Sequence, residues 1–439
     1  MTLQPWADPR KAFLAIASLG ALVALTWSNP SGATRMHVLR RAWSLKVPWC
    51  CSVRILEDVS EEGVMLFDNF GPHVERGVSS SQDPKLVLWV VGKDEPSAEI
   101  PLTEFPRYEK ERPPNFTYDY LGQFRFGPHG HFIAGLQPPW VVLIDVARRE
   151  EVGRRLVCSH SNPNLENLKP QSANTLPQRR MLLAVSPIDG SLAVACNLDE
   201  VTVHILNPAL KVEAASWKLP GAVQDIAWSK HGELLAVLFN TPLGPPGGDG
   251  EHNSTNADVP PRDTAVVVYQ IPENRELARF NNGAPDAKVV FDGGGTAVFA
   301  IGESPASTGS SEKAKQPWLC EFQARTGEVL RRYGVEGSGP GQNFAISPSG
   351  ELIAARTAVA LYPPFFLEQT STSVRSGFVL LDAEDGQELY KEDRKTVGRA
   401  NEDLPLFFTE DGKYLLVGYE SSKGGRDYGE IVAYSLTGR

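Results

Sequence analysis

The sequence predicts an all-β protein, a β-propeller of seven four-stranded blades closed by an N-terminal strand. One phrase recurs along the chain: an apolar run of strand length, a short polar turn ending in glycine, and a second apolar run, as in FAISPSGELIAA at 344–355. Glycine supplies the positive φ that the last position of a tight turn demands, so each phrase predicts a β-hairpin. A strand, a polar turn and usually a further strand follow each phrase, which makes one unit of four strands.

The turn glycines set the spacing of these units. They lie 60, 42, 63, 55 and 62 residues apart, at Gly130, Gly190, Gly232, Gly295, Gly350 and Gly412. The shortest interval matches the roughly 40 to 45 residues of a propeller blade, and the longer intervals indicate blades with insertions. The predicted blades span 53–103, 121–158, 181–218, 223–281, 286–333, 342–392, and 404–439 together with 36–47. In the first of them the turn phrase is degraded, and only the later strands are evident.

The segment 36–47 is predicted to complete the last blade. That blade stops at Arg439 after its third strand, which leaves an unpaired edge. We expect 36–47 to pair beside 430–436, because closing the ring removes an edge that invites aggregation. The alternative is that 36–47 is only a linker to the propeller.

Residues 1–35 are predicted to be a signal peptide or a membrane anchor that contains one hydrophobic helix. The uncharged stretch 12–27 follows Arg10 and Lys11, and small residues permit cleavage after Ala33. Sixteen residues are few for a membrane span, but a retained anchor through 12–27 stays open. Under either alternative the propeller is expected outside the cytoplasm, exported to a periplasmic or extracellular space or tethered to the membrane.

The five cysteines predict no disulfide framework, because they are odd in number, widely scattered and free of any CxxC pair. Cys158, Cys196 and Cys320 lie in apolar runs and are predicted to be buried free thiols. The adjacent Cys50 and Cys51 cannot easily bridge to each other.

The sequence predicts no catalytic, cofactor-binding or metal-binding residues. It has no phosphate-binding loop, no HExxH motif and no GxSxG elbow. The pair His129 and His131 is the nearest approach to a metal site, but no third ligand is near in sequence, and a solvated turn is favoured. The net charge of −10 argues against nucleic-acid partners.

Every long connection is predicted to lie on one face of the disc. With strands a to d named outward from the axis, the a–b and c–d turns share one face, and the b–c and d–a connections share the other. The long segments are all of the second kind: 69–84, 103–120, 159–180, 240–263, 302–317, 357–376 and 420–428. Rigid scaffolds commonly display binding residues on such loops.

The segment 361–367 (LYPPFFL) is the candidate partner-binding site on this face. Tyr362, Phe365 and Phe366 are aromatic residues in a connection that is expected to be exposed to solvent. Aromatic side chains are enriched among the residues that dominate the binding energy of protein interfaces. The alternative is that the segment folds back over the disc or adds a short edge strand.

The recurrent phrases SPSGELIAA, SPIDGSLAVA and TEDGKYLLVG, followed by LLDAEDGQEL and FQARTGEV, resemble the WD40-like or YVTN-type propeller repeats over residues 37–439. The resemblance implies the propeller architecture and indicates no subfamily. No blade ends in Trp-Asp and none opens with Gly-His, so the polar network of true WD40 blades cannot be assigned to residues here.

Two functions remain open from the sequence. The first is a non-enzymatic scaffold outside the cytoplasm that binds an unidentified protein or other ligand through the long-loop face. The second is a propeller enzyme, a hydrolase, lactonase or quinoprotein-like protein, with a cluster of titratable residues at the central channel. The first is favoured, because a fold by itself implies no chemistry.

Overall fold

Seven four-stranded antiparallel sheets follow one another around a ring in the computed structural model of the protein, as the blades of a β-propeller. The predicted all-β fold with seven blades is therefore confirmed. The structure describes residues 38–47, 56–69, 74–75, 78–79, 85–102, 123–137, 140–158, 181–197, 201–211, 213–240, 264–281, 288–303, 317–334, 343–360, 373–397, 405–423 and 426–437. The predicted N-terminal helix in 1–35 lies outside the described residues.

The strands run in chain order from the axis outward in blades 1 to 6. The first strand of the chain, β1 (Val38–Val47), belongs to blade 7. Blades 1 to 4 comprise β2 (Leu56–Val59), β3 (Val64–Asn69), β6 (Lys85–Val90) and β7 (Ala98–Pro101); β8 (Phe124–Phe126), β9 (Phe132–Gln137), β10 (Trp140–Asp145) and β11 (Glu150–Leu156); β12 (Met181–Val185), β13 (Leu192–Asn197), β14 (Val201–Leu206) and β15 (Glu213–Leu219); and β16 (Val223–Trp228), β17 (Leu234–Asn240), β18 (Thr264–Gln270) and β19 (Arg275–Asn281).

The remaining blades have the same antiparallel order. They comprise β20 (Val289–Phe291), β21 (Ala297–Glu303), β22 (Pro317–Gln323) and β23 (Val329–Gly334); β24 (Phe344–Ile346), β25 (Leu352–Ala360), β26 (Ser373–Asp382) and β27 (Glu388–Val397); and β28 (Leu406–Phe408), β29 (Tyr414–Lys423) and β30 (Arg426–Thr437), with β1 outermost. A two-stranded hairpin, β4 (Val74–Glu75) and β5 (Val78–Ser79), lies in the b–c connection of blade 1.

The N-terminal strand closes the ring as predicted. β1 is hydrogen-bonded to β30 and forms the outer edge of blade 7. The hydroxyl of Ser435 donates to the carbonyl of Arg40 at 3.3 Å, and Arg41 pairs with Glu430 at 2.5 Å. An apolar cluster containing Leu45, Leu56 and Met65 then joins blade 7 to blade 1.

The recurrent sequence phrase forms the a–b turns, and hydrogen bonds within each turn explain its residues. In blade 6 the backbone N–H of Ser347 donates to the carbonyl of Leu352, and the N–H of Gly350 donates to the carbonyl of Ser347. The hydroxyl of Ser347 also accepts a hydrogen bond from the N–H of Leu352 at 3.0 Å. Gly350 has a φ of 75°, which a residue with a side chain adopts only with strain.

The residue that starts each turn is hydroxylic or acidic in six blades and is buried in all but blade 5, where Asp292 is half-buried. Its backbone N–H donates across the turn in all seven blades, at Ser60, Gly127, Ser186, Ser229, Asp292, Ser347 and Thr409. The bond spans five residues in six blades and four in blade 1, whose sequence phrase is degraded. We call this residue the turn residue and count strand positions back from it.

The strands of blades 6 and 7 are longer than those of the other blades. Their b and c strands have 9 to 12 residues, where those of blades 1 to 5 have 6 or 7. The predicted loop 420–428 is therefore wrong, because β29 and β30 run through most of it to the pair Lys423 and Arg426. Likewise β25 and β26 extend into 357–376 and leave 361–372 between them.

A disulfide joins blades 2 and 3, contrary to the predicted free thiols. Cys158 follows β11, Cys196 lies in β13, their Cα atoms are 5.6 Å apart, and both side chains are buried. The sequence could not show this, because 38 residues and a blade boundary separate the two cysteines. Cys320 is a buried free thiol, as predicted.

Among the residues that the structure describes, no helix is long and apolar enough to cross a membrane.

Candidate functional site

The propeller has two unlike faces. The face that carries the a–b and c–d turns, here the turn face, has only short connections, as predicted. The opposite face, here the loop face, carries the b–c and d–a connections. The candidate residues Tyr362, Phe365 and Phe366 fall in the b–c connection of blade 6 and lie outside the described residues, so their prediction stays untested.

The hairpin that leads to these aromatic residues is long and regular. β25 and β26 pair without interruption from Leu352 with Asp382 to Ala360 with Val374. Strand b of blade 4, which begins at the same distance from its turn glycine, ends two residues earlier, at Asn240. Two further residues correspond to about 7 Å of strand, so the hairpin extends beyond those of blades 4 and 5 on the loop face, while β29 of blade 7 reaches at least as far.

A hydrogen-bonded cluster fastens the extended strands of blade 6 to blade 7. Glu392 on β27 accepts hydrogen bonds from the hydroxyls of Tyr434 at 2.6 Å and Tyr390 at 3.0 Å, and it pairs with Arg394 at 2.5 Å. Arg394 in turn donates to Glu430 at 3.2 Å. We call this set the blade 6–7 cluster.

Electrostatics hold this cluster in its charged form. Burial opposes the ionisation of Glu392, but hydrogen bonds from Tyr434 and Arg394 outweigh it and lower the pKa of Glu392. Burial and the bond to Glu392 raise the pKa of Tyr390 to about 12. The guanidinium of Arg394 also lies 4.0 Å from the centre of the Tyr419 ring, within cation–π range.

A buried arginine links the same two blades closer to the axis. Arg356 on β25 is 3% exposed and donates to the carbonyl of Pro405 at 2.9 Å and to that of Gly418 in blade 7. Burial lowers the pKa of Arg356 to about 10, which still leaves the side chain charged at neutral pH. Blade 6 is therefore tied to blade 7 by two charged anchors.

The central channel is lined by the innermost strands, and at two positions of these strands most of the side chains named here are polar, with Phe407 as the aromatic exception. Four positions before the turn residue stand Gln123, Asp225, Lys288 and Asn343; two positions before it stand Asp58, Arg125 and Phe407. These positions share one face of a strand, because side chains alternate with a period of two.

Three of these polar side chains accept a hydrogen bond from the inner strand of the next blade. Gln123 accepts from the N–H of Leu183 at 2.8 Å, and Asp225 accepts from the N–H of Val289 at 2.9 Å. Asp58 accepts from the N–H of Phe126 at 2.8 Å. These bonds satisfy backbone donors that face the channel, so the carboxylates have a structural role.

Lys288 differs from these side chains because it is a cation in the same row. Its ammonium donates to the carbonyl of Phe344 at 3.1 Å and to the side-chain oxygen of Asn343 at 3.4 Å, and it lies 5.8 Å from the centre of the Phe407 ring. Burial lowers the pKa of Lys288, and the charge of Arg125 adds to this effect against the opposing charges of Asp225 and Asp58. Burial also raises the pKa of Asp58.

The predicted histidine pair lies at the turn-face mouth of the channel. His129 and His131 are exposed, their ring centres are 6.0 Å apart, and His129 Nδ1 lies 2.9 Å from a carboxylate oxygen of Glu61. Burial and the charge of Glu61 raise the pKa of Glu410 nearby. Within the described ranges, no group of three or more His, Cys, Asp or Glu residues is arranged to hold a metal ion.

Sequence reasoning missed the channel residues and the blade 6–7 cluster. Counting two and four positions back from each turn residue would have identified Asp58, Arg125, Asp225 and Lys288, because the turn fixes the register of the inner strand. No comparable signal exists for Glu392, since its partners come from two blades.

Solved structures with the same architecture agree with this description. A chain of the mitotic checkpoint complex is 11% identical, with 100% of this chain and 98% of that chain covered and a TM-score of 0.51. The WD40 domain of Toxoplasma gondii coronin is 12% identical (92% and 89% covered, TM-score 0.49), and the Cps50 (Swd1) β-propeller domain of Myceliophteria thermophila is 10% identical (91% and 100% covered, TM-score 0.47). At these identities the similarity establishes the fold alone.

No protein-family model matches the chain, and a search of curated proteins gave no match. The chain has a β-propeller fold, as the sequence phrases predicted.

Proposed function

We propose that the protein is a non-enzymatic interaction scaffold that binds a protein partner through its loop face, with the aromatic segment 361–367 as the main contact. The observation that carries the proposal is the extended hairpin of β25 and β26, whose strands end on either side of this segment. A rigid hairpin lowers the entropy that a binding loop loses when it is ordered against a partner.

The blade 6–7 cluster supports the same proposal. Its bonds run from Glu392 and Arg394 to Tyr434 and Glu430, so the base of the hairpin is held against blade 7. The b and c strands of blades 1 to 5 are shorter, so among the described residues blades 6 and 7 together carry the longest hairpins of the loop face.

The test is affinity capture with the full chain, followed by measurement with the purified partner. The variant Tyr362→Ser, Phe365→Ser, Phe366→Ser should weaken binding by about 100-fold or more, because aromatic anchors each contribute about 2 kcal/mol or more. The matched control is Ile188→Ser, which removes an exposed apolar side chain from the turn face. Unchanged affinity of the triple variant, or loss of affinity in Ile188→Ser alone, would refute the proposed surface.

We further propose that the propeller works outside the cytoplasm. The disulfide between Cys158 and Cys196 supports this location, because disulfides persist in oxidising compartments and are rare in the cytosol. The basic and apolar segment 10–27 supports it independently. Whether 12–27 is a cleaved signal or a retained anchor stays open.

The location is tested by trapping thiols with an alkylating agent before the cells are opened, followed by mass mapping of peptides. We expect Cys158 and Cys196 in one disulfide-linked peptide and Cys320 as a free thiol. Alkylation of all three cysteines would contradict the proposed location.

A further inference from the structure

Lys288 lies in the channel, and the proposed binding through the loop face does not account for it. It precedes the inner strand of blade 5, yet its ammonium bonds blade 6 at Phe344 and faces the ring of Phe407 in blade 7. The charges that act on it come from Asp225 in blade 4 and from Asp58 and Arg125 in blades 1 and 2. A group influenced from so many blades projects toward the axis of the ring.

The contacts of this ammonium are unusual for a partly buried lysine. Its two hydrogen-bond acceptors are a backbone carbonyl and a side-chain amide oxygen, both uncharged. Within the part of the chain that the structure describes, no carboxylate forms an ion pair with it. Buried charges are ordinarily paired, so this environment favours the uncharged amine more than the environment of a surface lysine does.

Two features of the site match those that activate lysine as a nucleophile. The amine is desolvated beside an aromatic ring, which is the larger cause of its lowered pKa, and a second cation, Arg125, acts in the same direction against the stronger opposing charge of Asp225. Desolvation and a neighbouring cation both raise the fraction of free amine, which is the form that attacks carbonyl carbon. Lys288 is partly exposed rather than fully buried, which access by a small molecule requires.

We propose that Lys288 is a reactive-amine site in the central channel that forms an imine with small carbonyl compounds, aldehydes in particular. The lone pair of Nζ bonds to the carbonyl carbon as the C–O π bond opens to a hydroxyl. The oxygen then leaves as water with the two hydrogens of the amine, and a C=N bond remains. No oxidant, reductant or cofactor is needed. Asn343 and Phe344, which accept hydrogen bonds from the amine, orient it.

The test uses pyridoxal as the aldehyde probe on the full chain at pH 7, in less than molar equivalence. Borohydride reduction fixes the imines, and peptide mass mapping locates them. Lys413 is the internal control, since it is exposed and paired with Asp411, which raises its pKa. We expect Lys288 to be labelled severalfold faster than Lys413, because burial lowers the pKa of Lys288 whereas the bond to Asp411 raises that of Lys413. Equal or slower labelling of Lys288 in the folded protein overturns the proposal.

Three variants sharpen the result. Lys288→Arg keeps the charge but cannot form an imine, so the imine absorbance should be lost, whereas Lys413→Arg should retain it. Arg125→Gln should slow the labelling of Lys288 severalfold, because the neighbouring cation is removed. If Lys288→Arg does not fold, the ratio of Lys288 to Lys413 labelling in the unaltered protein still decides the question. Partner binding is measured separately, so failure of this proposal leaves the loop-face proposal unaffected.

Discussion

The boundary between blades 2 and 3 and the boundary between blades 6 and 7 solve the same packing problem with different chemistry. Blades 2 and 3 meet through an apolar cluster that includes Leu136, Val141 and Leu183, with the disulfide of Cys158 and Cys196 inside it. Blades 6 and 7 also share an apolar cluster, but charged and phenolic groups around Glu392 extend it toward the loop face.

The difference shows which interactions determine the relative orientation of neighbouring blades at each boundary. Apolar packing holds neighbouring blades together but permits small slides, because dispersion is not directional. The hydrogen bonds of Glu392 and Arg356 have direction, so they determine how the extended hairpin of blade 6 stands relative to blade 7. A covalent bond does the same for blades 2 and 3, where the strands are short.

The largest expected effect is removal of the disulfide. Cys196→Ala opens a loop of 38 residues, which corresponds to about 4 kcal/mol of chain entropy in the unfolded state. Urea unfolding with and without reductant measures it. The control is Cys320→Ala, which removes a buried thiol but no cross-link. If reductant left the unfolding midpoint of the unaltered protein unchanged, the disulfide would not contribute to stability.

Breaking the blade 6–7 cluster should have the next largest effect. Glu392→Ala leaves Arg394 and the hydroxyls of Tyr390, Tyr419 and Tyr434 without this acceptor and should cost about 2 kcal/mol, the usual contribution of hydrogen bonds to a charged, partly buried group. The control is Glu276→Ala, whose pair with Arg279 is similar in geometry but about 41% exposed and should change stability by less than about 1 kcal/mol. If thermal unfolding gave equal losses of stability for the two variants, the partial burial of the blade 6–7 cluster would not contribute to stability.

Two asparagines at the same position in their blades test how much directional hydrogen bonds between blades contribute to stability. Asn197 on β13 exchanges two hydrogen bonds with Val223, at 2.7 and 2.8 Å, whereas both amide atoms of Asn240 on β17 are buried and have no partner among the residues that the structure describes. Asn197→Leu should destabilise by about 1 to 2 kcal/mol, and Asn240→Leu should be neutral or stabilising. A reversed order in urea midpoints would contradict this assignment.

The smallest expected effect is in the dependence of stability on pH. The folded pKa of Glu392 lies below its ordinary value of 4.5, so its contribution is complete above that pH and is lost as the pH falls through the folded pKa. The difference in stability between the unaltered protein and Glu392→Gln should therefore be constant above about pH 5.5 and narrow in acid, by at most about 1.4 kcal/mol per pH unit for one proton. Cys196→Ala should keep the pH slope of the unaltered protein, because no titrating group is removed. A constant difference down to pH 3 would contradict the assignment.

The repeated strands and turns were predictable, because hairpins depend on local chemistry. A glycine such as Gly350 and a turn residue such as Ser347 are close in sequence, so their pattern is visible in the chain. The closing strand was predictable for a related reason, since an unpaired edge requires a partner. The strand extensions in 357–376 and 420–428 were missed, because glycine, serine and proline in these segments also suit loops.

The sequence by itself determined the all-β class, the seven blades, the short turns of one face and the closure by 36–47, because strand alternation and turn geometry act over a few residues. Only the tertiary structure decided the disulfide, the blade 6–7 cluster and the setting of Lys288. Each of these joins residues from different blades, and their distances depend on how the blades pack around the ring.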